Sequence, residues 1–207
     1  MAFLSTLILG IVAAIVGSYL QYRSWRHRYF TELRDRERAD AMKLLDDLSQ
    51  AIDRRLTVQR SYVSKAIRSD VQDADSQRHR EALDNWMGSF SSFKARIGDL
   101  FGYDTVLIFE NSVHKSMRDV SALTALKVRD GLENLSAEHR YRFHRIEEEM
   151  SLAHHTAYRF LRELNGLLAN GSYGRSQYIN DIKSNDLSLL TKSYLLRRLL
   201  ALPDARF

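Results

Sequence analysis

Cysteine is missing from all 207 residues, so disulfides and thiolate metal sites cannot form, which suits a reducing compartment. Proline occurs once, at Pro203, so no interior segment is broken by a ring that removes a backbone donor. Glycine is sparse at 9 residues, and neither glycine nor proline falls between Gly17 and Gly88. Long helices follow from those absences. The short signatures of common chemistry are also lacking. There is no Gly-x-x-x-x-Gly-Lys loop to cradle phosphate, no Gly-x-Gly-x-x-Gly turn, no Gly-x-Ser-x-Gly elbow and no His-Glu-x-x-His pair. Helical ribonucleases that place four to six residues between an arginine and a histidine are not matched either, since only three residues lie between Arg140 and His144.

What is present is the composition of a folded protein, with 44% hydrophobic and 28% charged residues. The length predicts one soluble domain with a single core once an anchor is set aside. The net charge is +5, but much of the excess sits in Arg23, Arg26 and Arg28, where membrane topology accounts for it, so a nucleic-acid partner is not expected.

Residues 1–22 carry no charged side chain, and at about 1.5 Å per residue such a helix matches the roughly 30 Å hydrocarbon core of a bilayer. Tyr19, Tyr22 and Trp25 cluster at its end, as amphipathic rings do at headgroup level. A cleaved signal peptide is disfavoured, because no Lys or Arg precedes the apolar run and no Ala-x-Ala-like site follows it. The arginines beyond the span, Arg23, Arg26 and Arg28 and then Arg34, Arg36 and Arg38, predict an outside N-terminus and a cytoplasmic domain at the inner membrane. Gly10, Ala14 and Gly17 put small residues on one side of the span, where another transmembrane helix can approach. The expected division is an anchor over 1–22, a basic helical stalk over 23–40 and a bundle domain over 41–207.

The fold class read from the periodicity is all-α: the span continues into a bundle of about four to five helices. In the first, Leu45, Leu48, Ile52, Leu56, Val63 and Ile67 share a face. The polar run 69–76 reads as a turn, with Asp75 or Ser76 as N-cap of a second helix ending near Ile97. That helix carries Leu83, Trp86, Met87, Phe90, Phe93 and Ile97, followed by Leu100 and Phe101, as an aromatic-rich core face. Residues 105–109 have strand propensity but no second strand to pair with. They read as helix, because Phe109, Val113, Met117, Val120 and Leu123 continue a helical face to Gly131. The clearest element opens at Ser136 and closes at Asn170 and Gly171. Phe143, Ile146, Met150, Ala153, Ala157, Phe160, Leu164 and Leu167 form a heptad stripe along it, as in a coiled coil, and such a stripe requires helical partners. Tyr178, Ile179 and Ile182 suggest a short helix, and Asn185 or Asp186 opens a leucine-rich last one.

Titratable groups concentrate in His139, His144, Glu147, Glu148, Glu149, His154 and His155. They lack the spacing of a di-iron or zinc site, so neither a metal nor another cofactor is expected, and no catalytic residue is assigned. The expectation is a membrane-anchored, non-enzymatic helical module that binds a protein partner or itself. A membrane-perturbing effector, suggested by the leucine-rich last helix with Arg197 and Arg198, and an enzyme with an unrecognised pocket are the alternatives.

Overall fold

The computed structural model describes residues 2–174, and of residues 2–9, 11 and 12 it describes the backbone alone. The described chain is helical throughout its regular elements and contains no strand. In order come α1 (Ala2–Ile67), α2 (Asp73–Phe101), α3 (Tyr103–Ile108), a π-helical turn (Phe109–His114), α4 (Lys115–Asp130), α5 (Ala137–His144) and α6 (Ile146–Ala169). The chain divides into two units, Met1–Asp40 and Ala41–Phe207, with α1 running through the boundary. The expected leucine-rich helix and the short helix before it lie outside the described residues.

In the first unit, side chains from Ala13 to Tyr29 are exposed, among them Ile15, Val16 and Leu20. Among the described residues no helix is long and apolar enough to cross a membrane. The span expected over residues 1–22 therefore has no support there, and half of its side chains lie outside the described residues.

The second unit is built on one hydrophobic core. Leu45, Leu48, Ile52, Leu56 and Val63 are buried as the periodicity predicts, but Ile67 is exposed because α1 ends there. The innermost stripe of α1 includes residues that a count of apolar positions passes over. Leu44, Leu48, Ile52, Arg55, Gln59 and Tyr62 recur every three or four residues, and all are buried.

The turn after α1 places Ser69 at φ 56, with Asp70 N–H donating to Lys65 O at 3.0 Å, a left-handed closure of the helix end. The Lys127 ammonium donates to Ala66 O and, at 2.9 Å, to Ser69 Oγ, so a cation sits where the helix dipole is negative. The N-cap of α2 is Gln72, earlier than expected. Asp75 serves instead from inside the first turn, accepting from Gln72 N–H at 3.2 Å and pairing with Lys65 at 2.6 Å. Nothing breaks α2 near Ile97. It runs on to Gly102, whose φ of 88 suits a residue without a Cβ and lets the chain turn into α3. Met87, expected in the core, is exposed, whereas Trp86, Phe90, Phe93 and Ile97 are buried.

Residues 105–109 are helical, as their lack of a pairing partner requires. Phe109, Val113, Met117, Val120 and Leu123 are all buried, and Gly131 caps α4 at φ 79. The π-helical turn within this run is not announced by the sequence. Ser136 caps α5, its Oγ accepting from His139 N–H at 3.2 Å, and Asn170 and Gly171 close α6. The expected single helix between them is broken at Arg145 (φ −107, ψ 18). Ion pairs hold the two pieces across the break, Arg142 to Glu149 at 3.0 Å and Arg145 to Glu148 at 2.6 Å. The stripe survives the break. Phe143, Ile146, Met150, Ala153, Ala157, Phe160 and Leu164 are buried and Leu167 partly so.

Candidate cleft between α2 and α4

Among the described residues of the second unit, four buried polar side chains keep an atom without a hydrogen-bond partner. Arg55 is 3% exposed, and its Nε and Nη1 have no hydrogen-bond partner. The guanidinium lies 5.0 Å from the Trp86 ring centroid, and that indole donates to His114 Nδ1 at 3.0 Å. Burial of the charge pushes the Arg55 pKa down to about 10. Gln59 donates to Met117 O at 2.8 Å, tying α1 to α4, but its Oε1 is unpartnered. His79 on α2 stacks on Tyr62 with centroids 4.3 Å apart and is 5% exposed. Its Nε2 has no partner, and burial first, then the nearby Arg55 charge, push its pKa down to about 4. Ser121 on α4 is equally buried, with an unpartnered Oγ. Buried polar atoms are nearly always satisfied, so these four residues stand out from the core around them.

His79 and Ser121 line a cleft of about 610 Å³ between α2 and α4, floored by Tyr62 of α1. The opening has a local cause. Facing Leu83 of α2, α4 presents Ser121, Ala122 and Ala125, side chains too small to close the gap. Leu126 and Val128 complete an apolar wall. Arg80, Arg118 and Arg129 also line it, and among the described residues no carboxylate does. Arg80 reaches Ser76 O and Arg118 meets Asp119, each at 3.4 Å, whereas Arg129 holds Asp130 through two bonds of 2.7 and 2.8 Å.

The histidines and glutamates singled out from the sequence do not converge. His139 sits at the α5 cap, His144 and His155 are exposed, and Glu148 and Glu149 are engaged by Arg145 and Arg142. His154 lies against Tyr158, with centroids 4.5 Å apart, and Tyr158 donates to Asp53 in a smaller groove of about 310 Å³. Among the described residues no three His, Asp or Glu side chains gather to hold a metal. In the first unit, a Cβ built on Gly10 or Gly17 meets nothing within 4 Å, and Ala14 is exposed. Tyr19, Tyr22, Arg23, Trp25, Arg26 and Arg28 are exposed, with Trp25 stacked on Tyr29 at 5.6 Å and Arg26 over the Phe30 ring at 5.6 Å.

Of the cleft residues only Leu83, as an apolar position, and Ser76, as a cap candidate, stand out in the sequence, because polar residues buried on an apolar stripe are invisible to a hydrophobic count. The signal lies in the register, which puts Arg55, Gln59 and Tyr62 in line with Leu48 and Ile52. Comparison with known protein families, with characterised proteins and with solved structures finds no match for this chain.

Proposed function

We propose that this chain is a single-pass membrane protein whose helical domain faces the cytoplasm and binds a protein partner without catalysis, and that its recognition surface is the cleft between α2 and α4. The cleft carries the reading: an apolar wall, three arginines and two residues with a buried, unpartnered polar atom, gathered at one concavity. Its chemistry suits binding better than turnover. The one imidazole in it, His79, is held near a pKa of about 4 by burial and by Arg55, too weak a base for work at neutral pH, and no acid stands beside it.

The anchor rests on the uncharged run 1–22, the exposed Ile15, Val16 and Leu20, and the exposed rings of Tyr19, Tyr22 and Trp25 that follow. Apolar side chains at such density on a lone helix face favour lipid or another helix over water. The cytoplasmic orientation rests on Arg23, Arg26 and Arg28 following the run.

Two experiments test this reading. A reporter active only in the periplasm, fused after Phe207, is expected to be silent, and activity there would overturn the topology. A photo-crosslinking residue at Ala125 in living cells is expected to give a discrete protein adduct that the same residue at Arg159 on α6 does not. Identical adducts from both positions, or none from Ala125, would remove the cleft from its proposed role.

A further inference from the structure

The three guanidinium groups of the cleft are spread along it. Arg118 and Arg129 are eleven residues apart on one helix, which at about 1.5 Å per residue separates them by roughly 16 Å. A single phosphate or carboxylate headgroup cannot engage both ends. Between them α4 offers Ala122 and Ala125, two small exposed side chains one turn apart, opposite Leu83. A groove with an apolar middle, an arginine at each end and no carboxylate among its described lining complements an elongated ligand with an apolar stripe and negative flanks, whose carboxylates compete with Asp119 and Asp130 for those arginines.

Resting on the reading of this cleft as the recognition surface, we propose that it receives an acidic amphipathic helix of a partner protein, apolar side chains lying over Ala122, Ala125 and Leu83 and carboxylates meeting Arg80, Arg118 and Arg129. The chain's own C-terminal residues are a poor occupant. Residues 175–207 hold six basic side chains (Arg175, Lys183, Lys192, Arg197, Arg198, Arg206) against three acidic ones (Asp181, Asp186, Asp204), the wrong sign for this groove.

The test uses the full-length chain in lipid nanodiscs and labelled helical peptides that share one leucine face but range in net charge from strongly acidic to strongly basic. Fluorescence anisotropy is expected to show affinity rising with negative charge and falling with added salt. Arg118→Glu with Arg129→Glu should weaken the acidic peptide by about ten-fold or more, both side chains being exposed and so free to change without unfolding the domain. Ala125→Trp should block it by filling the groove, while the same substitution at Arg159 should not. Affinity independent of charge sign, or unchanged by the arginine and Ala125 variants, would overturn the inference. Dodecyl phosphate, titrated in parallel, separates the two levels. If it binds in an Ala125-dependent way and no peptide does, the acidic-helix inference falls while the cleft remains a binding site. If neither binds the folded chain, both fall.

Discussion

Mild acid is expected to loosen this fold through His79. The imidazole titrates near 6.5 in an unfolded chain and at about 4 in the fold, because burial and then the Arg55 charge oppose its protonation. Above pH 6.5 it is neutral in both states and contributes nothing to the difference. As pH falls further, the unfolded chain takes up a proton that the folded one refuses, and each pH unit of that interval is worth about 1.4 kcal/mol. The fold therefore loses about 3 kcal/mol on passing from pH 6.5 to 4, a large part of the 5–15 kcal/mol typical of a domain. His114, lowered chiefly by burial and next by Arg55, adds in the same direction. Asp75 and Asp130, lowered by their bonds to Lys65 and Arg129, lose most of their contribution below their ordinary value of 3.8 and only a small part of it within this window. His79→Phe keeps a ring on Tyr62 and removes the titration. Urea midpoints at pH 7 and pH 4 should show a steep acid loss in the parent and a much shallower one in the variant. Equal losses in both would refute the claim that burial beside Arg55 is what holds His79 neutral.

Arg55→Met should leave the domain as stable or stabilise it by about 1 kcal/mol: relief of the buried charge is worth about 3 kcal/mol, judged from its lowered pKa, and loss of the Trp86 contact costs about 2 kcal/mol. A clear drop in the urea midpoint would contradict this. Phe160→Ala should cost about 3–5 kcal/mol, because the ring is 2% exposed and packs 5.6 Å from Phe109 at the π-helical turn. Glu148→Ala, removing an exposed pair with Arg145, should cost about 0.5 kcal/mol or less in the same denaturation series. Ser136→Ala should cost about 1 kcal/mol through the lost α5 cap, and an unchanged melting temperature would show that cap to be dispensable.

How far the sequence could be read depended on whether a feature was carried by periodicity or by a single residue's surroundings. The stripe from Phe143 to Leu164 is buried as its spacing predicts, because a run that keeps steps of three and four can face only one way on a helix. Ser136 caps through its hydroxyl and Gly131 closes a helix through its lack of a Cβ, as their residue types favour at helix ends. The break at Arg145 follows no such rule. No glycine or proline marks it, and its neighbours are sound helix formers, so tertiary packing of Phe143 and Ile146 on either side overrides local preference. The π-helical turn is equally silent, since one added residue per turn changes spacing too little to stand out among frequent apolar positions. The cleft was hidden for a different reason. Ala122 and Ala125 matter for the volume they leave, and His79 and Arg55 matter because burial changes what a polar group does; neither property belongs to the residue type alone.

Arg55 joins the energetics of the fold to the proposed recognition. A buried guanidinium without a carboxylate is poorly suited to stability, and substitution of buried charges by apolar groups often leaves folds unharmed. Its field reaches His79 in the cleft lining and His114 behind Trp86, and opposes positive charge on both. The interior beside the cleft is therefore cationic, three arginines line the cleft, and none of its described lining residues is acidic. Such an arrangement leaves the unbound domain less stable than its apolar core alone would make it. A partner that brings negative charge to the cleft relieves the repulsion and, by binding the folded state alone, adds about 2.7 kcal/mol of stability at a hundred times its dissociation constant. Charge stranded beside an open groove is thus expected to make the folding of this domain and its occupation by an anionic partner one coupled equilibrium.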